Sequence, residues 1–287
     1  MNKRIKPIAM AAASLALAAL VLVGCSSGGG STSSANSASS GSAGSSTAMT
    51  LTVGFDSAYP PYGFVGDDGQ YTGFDLDLAA EVCERNGWDF KAEPIDWDAK
   101  DVLLGSGSIS CIWNGFTLEG REGDYTFSDP YMLNEQVVVV KAGSDIATLE
   151  GLAGKMVMTQ VDSAALDVLE KEAAEGGRAD LAATFGSLAT IGDYNNAFLQ
   201  LDSGAVDAIA CDLSIAQYQI SKNPGKYVQL EEPLSSEHYA VGFKVGDTEL
   251  ASQVTATLKE MYADGTVKQI CERYEAYGLT FDNWVLR

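Results

Sequence analysis

The sequence predicts an α/β protein built as two successive units. Three features carry that expectation. Strand and helix patterns alternate from residue 51, "VVVV" at 137–140 forms a continuous apolar run, and after that run the alternation starts again. A continuous run suits a strand covered on both faces, and βαβ alternation suits a parallel sheet covered by helices.

Taken in order, "LTVGF" (51–55) reads as the first strand. "FDLDLAAEVCERNG" (74–87) reads as a helix with Asp75 as its N-cap, Leu78, Ala79, Val82 and Cys83 on one face and Gly87 as its stop. A strand over 89–93, a helix from Asp96 to about Gly105 and the strand "SISCIW" complete βαβαβ. "EQVVVVKAG" is the buried strand. The second unit runs through strand "KMVMTQ", helix "SAALDVLEKEAAEGG", strand "LAATF", helix "NNAFLQLDSG" and strand "VDAIACD", followed by "LSIAQYQIS" as a helix. "HYAVGFKVG" gives another strand, and 248–278 gives two helices divided at Asp264-Gly265.

The N-terminus has a different character. "MNKRIK" is a basic leader and "PIAMAAASLALAALVLV" is an apolar stretch somewhat short of a membrane helix, the pattern of an export signal over 1–24. It ends in Leu22-Val23-Gly24-Cys25, which resembles the lipobox read by bacterial lipoprotein signal peptidase, and no A-x-A site follows it. Cleavage there leaves Cys25 as a lipidated first residue that holds the protein on the outer face of the bacterial cytoplasmic membrane, at the cell surface. Residues 25–48 are rich in Ser and Gly and carry too little apolar bulk to order themselves. As a flexible tether they reach roughly 25 Å.

Composition narrows the function. Of 287 residues, 18 are Lys or Arg and 39 are Asp or Glu, so a nucleic-acid backbone is excluded as a natural partner. His238 is the only histidine, which argues against His-based metal cages and His-activated nucleophiles. No cofactor or metal is expected, and a binding role gains weight. Cys83, Cys111, Cys211 and Cys271 show no metal spacing; their apolar settings favour buried free thiols over bridges.

"VGFDSAYPPYGF", "YTGFDLDLAAEV", "IDWDAKDVLLGSGSI", "FSDPY", "GLAGKMVMTQ" and "LDSGAVDAIACD" occur in the order and spacing of the family 3 solute-binding proteins of polar amino-acid ABC importers. The chain from about 50 to 287 resembles that family throughout. The resemblance implies a two-lobed, type II periplasmic-binding-protein-like fold with two crossing hinge strands and a ligand cleft between the lobes. It puts the crossings near Val137–Val140 and His238–Ala240, lobe 1 at 49–137 and 240–287, and lobe 2 at 138–239. It also implies a monomer that takes a free amino acid to the permease and ATPase of an ABC importer.

A free amino acid is a zwitterion, so enclosing it calls for a fixed cation and a fixed anion. The resemblance assigns the ligand carboxylate to Arg121, whose planar fork suits it, with Thr117 and the backbone N–H groups around Asn114 and Gly115 as further donors. It assigns the ammonium to Asp212, which the residues alone read equally as an N-cap of the following helix. Ser163 and Ala164 add donors from the second lobe and Asp56 adds a polar contact. Tyr59 and Trp97 form aromatic walls, with Phe116 and Trp113 next to them; Trp113 fits the core equally well.

Two departures stand out. The commoner family loop reads GMTITPER, and "GFTLEGRE" brings the arginine one residue closer to its glycine. The family's Q-x-G-T/S-T segment reads Gln160-Val161-Asp162-Ser163-Ala164 here, with an acid where glycine is usual. Family 3 folds also serve as enzymes such as cyclohexadienyl dehydratase, for which Glu119 or Asp212 would be the acid or base, and as sensor subunits; these are the alternative functions.

Overall fold

The computed structural model describes residues 48–287. The export signal, Cys25 and nearly all of the tether therefore lie outside the described residues. Among those described, no helix is long and apolar enough to cross a membrane.

Strand β1 (Thr50–Phe55) leads into the short strands β2 (Ala58–Tyr59), β3 (Gly63–Val65) and β4 (Tyr71–Thr72), which form a small antiparallel sheet of their own. Helix α1 (Phe74–Asn86) follows. Its cap position is Gly73, at φ 145, where a Cβ would stand 2.1 Å from the Tyr62 carbonyl oxygen. Asp75, read from the sequence as the cap, instead sits fully buried in the first turn. Only glycine lets the chain enter the helix so close to Tyr62, and this moves the start two residues back.

Strand β5 (Asp89–Pro94), helix α2 (Lys100–Ser106), β6 (Cys111–Ile112) and β7 (Thr126–Phe127) continue the first unit. β1 pairs in parallel with β5 on one side and β6 on the other. Next comes β8 (Met132–Lys141), in which Val137, Val138, Val139 and Val140 are all buried, as the apolar run predicted.

The second unit comprises β9 (Met156–Gln160), α3 (Ala164–Glu170), α4 (Ala179–Ala182), β10 (Ser187–Ile191), α5 (Tyr194–Ser203), β11 (Ala208–Asp212), α6 (Leu213–Lys222) and β12 (Tyr227–Gln229). Two expectations fail here. "LAATF" is not a strand; the edge strand is "SLATI", and 179–182 forms a helical turn. α3 is also shorter than the stretch read as helical, ending where Lys171 turns extended ahead of the Gly176-Gly177 pair. A Cβ on Gly177 would stand 1.9 Å from the Lys171 carbonyl, so the chain folds back on itself there rather than continuing the helix.

β13 (Ser235–Tyr239), β14 (Gly242–Phe243), α7 (Thr248–Ala263) and α8 (Thr266–Glu272) complete the chain, so "HYAVGFKVG" divides between two strands in different sheets. The first sheet has the order β5-β1-β6-β14-β7 and the second β10-β9-β11-β8-β12, with β13 paired to β8. The C-terminal half of β8 pairs with β11 and β12 inside the second sheet, whereas its first residues pair antiparallel with β13 from Met132↔Tyr239 to Gln136↔Ser235. The passage between sheets is thus Met132–Gln136 beside Ser235–Tyr239. It begins several residues before the expected crossing at Val137–Val140, because a strand pairing on both edges is already part of a sheet.

The four cysteines Cys83, Cys111, Cys211 and Cys271 are buried free thiols, and Trp113 is fully buried core. Ile209 is fully buried at the centre of the second sheet, opposite Val139 and Met158. Ile209→Ala should cost about 2–5 kcal/mol of unfolding free energy by urea titration, with the cavity adding to lost transfer energy. A loss below about 1 kcal/mol would place β11 outside the core.

Candidate functional site

Segments that follow β1, β5, β6, β9 and β11 converge between the two sheets on a small cavity of about 20 Å³. Tyr59, Trp97, Gly115, Thr117 and Arg121 line it from one side, and Gln160, Ser163, Ala164 and Asp212 from the other. Sheets with parallel strands concentrate sites at their carboxyl ends, since loops leave there.

Arg121 follows Gly120 (φ 79) and is 8% exposed. Its guanidinium lies over the Phe116 ring, 4.9 Å from the centroid, which fixes the plane of the fork. Nη2 donates to the Asp162 carbonyl at 3.3 Å and pairs with Asp167 at 3.2 Å; Nη1 donates to the Thr117 carbonyl at 3.5 Å. Opposite it, Asp212 is 4% exposed at the end of β11. Although Asp212 occupies the N-cap position of α6, its side chain makes no capping bond. Oδ1 instead accepts from Asn134 Nδ2 at 2.9 Å, Gln136 Nε2 at 2.7 Å and Tyr239 Oη at 2.8 Å. Burial raises its pKa, opposed by hydrogen bonding from Tyr59, Tyr239 and Gln136. One buried cation and one buried anion therefore border a single cavity.

The family model for bacterial extracellular solute-binding proteins, family 3, matches residues 51–276. The chain belongs to this family. The L-cystine-binding protein TcyJ of Escherichia coli K12 is 28% identical over 228 residues, covering 78% of this chain and 82% of that protein. The histidine-bound ABC uptake transporter substrate-binding protein of Streptococcus pneumoniae is similar at TM-score 0.73 and 32% identity, over 78% of this chain and 92% of that one. The ancestral amino acid-binding protein AncCDT-1, a precursor of cyclohexadienyl dehydratase, has TM-score 0.70 and 29% identity, over 78% and 95% of the two chains. The two-lobed α/β fold of such proteins is the fold found here.

Within this family 3 solute-binding protein, the residues singled out from sequence do not all reach the cavity. Tyr59, Trp97, Gly115, Thr117, Arg121, Ser163, Ala164 and Asp212 line it. Asn114, Phe116 and Asp56 do not. Asn114 is buried behind the turn, with Oδ1 only 2.4 Å from where a Cβ on Gly63 would stand. Phe116 is the floor beneath Arg121 and packs with Trp97 and Tyr125. Asp56 lines a groove of about 340 Å³ just outside, together with Asp96, Asp98 and Asp193. Its carboxylate accepts from Gln160 Nε2 at 2.7 Å and from the Ala58 N–H at 2.8 Å, and burial raises its pKa.

Two expected donors are committed elsewhere, and a third remains free to donate. The Gly115 N–H, at φ 57, donates to Asp75 Oδ2 at 2.6 Å, and Thr117 Oγ1 donates to Glu237 at 2.7 Å. Ser163 Oγ accepts the Leu166 N–H as the cap of α3, which leaves its hydroxyl hydrogen for Thr159 or the cavity. Asp162, the acid in place of glycine, takes φ 54 and turns its carboxylate away to Lys100 at 3.2 Å. The same turn aims its carbonyl at Trp97 Nε1, 3.2 Å away, and at Arg121.

Sequence reasoning missed Gln160, Asn134, Gln136, Glu237 and Asp75. Asn134 and Gln136 alternate at the start of β8, two apart, so they share a face; Glu237 alternates likewise between Ser235 and Tyr239. Polar side chains on the buried face of a strand were the available signal. Asp75 anchors the binding turn, accepting from Gly115 and from Tyr131 Oη at 2.8 Å, and burial pushes its carboxyl up to about 7.

Because the native state keeps the Asp75 proton to higher pH than the unfolded chain, stability falls as pH rises between about 4 and 7, by at most about 1.4 kcal/mol per pH unit from this group. Asp75→Asn should flatten that part of the stability profile, measured by denaturation at a series of pH values. An unchanged slope would mean that Asp75 is ionised throughout.

Proposed function

We propose that this protein captures a free amino acid in the cleft between its sheets and delivers it to the permease and ATPase of an ABC importer. One observation carries the reading: Arg121 and Asp212, buried and of opposite charge, face the same cavity from different sheets. That arrangement suits a zwitterion, whose carboxylate and ammonium need opposite partners in a desolvated site. Arg121 and the Ser163 hydroxyl take the carboxylate; Asp212 takes the ammonium. The family match and the amino-acid-binding relatives support the same reading.

The four aspartates of the groove beyond Trp97 have no lysine or arginine among the residues lining that groove. They favour a ligand side chain that ends in a positive group. A cavity of about 20 Å³ cannot take an amino acid without widening, so loading involves parting of the contacts between Asp56 and Gln160 and between Trp97 and Asp162. The strands Met132–Gln136 and Ser235–Tyr239 are the natural hinge. Binding without turnover is the role, so prephenate and arogenate should pass through unchanged. The protein acts as an extracytoplasmic monomer, held to the membrane through a lipid on Cys25.

Arg121→Ala and Asp212→Asn should each weaken amino-acid binding by roughly a hundredfold to several thousandfold in calorimetry, since each leaves a ligand charge enclosed without its partner. Arg121→Ala should also lose its preference for a free carboxylate over an amide, and Asp212→Asn its preference for a free amine over an N-acetyl group. Binding within a few-fold of wild type in Arg121→Ala would move the carboxylate clamp elsewhere. Separately, Cys25→Ser should release the protein from membrane pellets or block its processing; normal maturation and retention would remove the lipid anchor.

A further inference from the structure

Asp212 has a second carboxylate beside it. Asn134 Nδ2 donates to Asp212 Oδ1 at 2.9 Å and to Glu237 Oε1 at 2.8 Å; Gln136 Nε2 donates to the same two oxygens at 2.7 and 2.8 Å. Each amide nitrogen has two hydrogens, so both are fully used in bridging the two acids. Thr117 Oγ1 and Tyr239 Oη supply the remaining donors, and every donor is neutral. Glu237 is 3% exposed, and no lysine, arginine or histidine among the described residues forms an ion pair with either carboxylate. The cluster is rich in acceptors and short of hydrogens, for Gln136 Oε1 is also buried without a partner.

We propose that Asp212 and Glu237 act together as the amine-recognition element of the cleft: without ligand the pair holds one proton, and the ligand's protonated amine takes the place of that proton, which leaves to solvent. This rests on Asp212 being the ammonium acceptor and adds Glu237 as a specificity-determining residue. Two carboxylates joined through shared donors in a desolvated site cannot both ionise without a compensating cation. An ammonium supplies that cation, whereas a neutral ligand would leave the proton in place. Burial, then the charge of Asp212, raises Glu237 above the usual carboxylate range.

Other ionisable groups also face the pair or lie close to it. Tyr59, Tyr62, Tyr194, Tyr239 and the Cys211 thiol are all raised by burial and stay neutral. Arg121 is turned to Asp167, and His238 pairs with Glu119 on the outer side of β13. Lys171 and Glu175 line the groove of about 250 Å³ that reaches Glu237 from outside.

The test uses the full chain and whichever of L-arginine, L-histidine, L-glutamine and L-cystine gives the largest thermal shift. Calorimetry at pH 6 in two buffers of different ionisation enthalpy should report close to one proton released per ligand, falling towards zero at pH 8.5, with affinity rising up to tenfold per pH unit below neutrality. Glu237→Gln should bind with an affinity independent of pH and release no proton. Buffer-independent heats in the wild type overturn the proposal. If Asp212→Asn still loses binding in that case, the amino-acid reading stands and only the shared proton falls; if Asp212→Asn binds normally, the ammonium assignment falls first.

A ligand-free measurement covers the case of a variant that fails to fold. In protein labelled with ¹³C only at glutamate carboxyls, one resonance should titrate above about pH 6, and finding every midpoint below about pH 5 overturns the proposal.

Discussion

The constraint on which the rest depends is that charge is buried where the two sheets meet. The strands that pass between them carry Asn134, Gln136 and Glu237 inward, and these meet Asp212 from the end of β11. A buried carboxylate is tolerated only with its hydrogen bonds made, so the donors must be held in fixed positions. The antiparallel pairing of β8 with β13 fixes the register in which those donors meet.

The opposite wall answers the same constraint by different means. Arg121 is held by a ring below it, a carbonyl on its own loop, and Asp162 and Asp167 across the cleft. Asp162 is the informative member. An acid at that position would repel an anionic ligand group if its side chain faced the cavity, but the left-handed backbone at φ 54 swings it to Lys100 and presents the carbonyl instead. The departure from the family's glycine is therefore accommodated through a Lys100 partner on α2. Gly115 shows the converse: a Cβ there would stand 3.0 Å from Tyr239 and 3.1 Å from Tyr59, so the turn keeps its glycine and Asp75 takes its N–H.

Elements that depend on local pattern were legible in the sequence. β1, the valine run of β8 and the apolar face of α1 follow from periodicity, and Gly87 ends α1 in a left-handed conformation as its position implied. "LAATF" was misleading because a short apolar run does not distinguish a helical turn from a strand; β10 was chosen by its pairing with β9 instead. Arg121 and Asp212 were found through the resemblance, but neither Asn114 nor Phe116 could be told from a cavity residue by spacing alone.

What the sequence by itself determined is the class of the fold and the order of most of its elements, and it offered Arg121 and Asp212 as candidate opposite charges. Each is written in neighbouring residues or in a motif of a few positions. Only the tertiary structure decided that Thr117 serves Glu237, that Gly115 serves Asp75, and that Glu237 stands beside Asp212. The bonds that settle these points join residues 40 to 120 positions apart. Such pairings follow from which strands lie side by side, and a hydrogen bond has no preference that its sequence neighbours record until those strands have met.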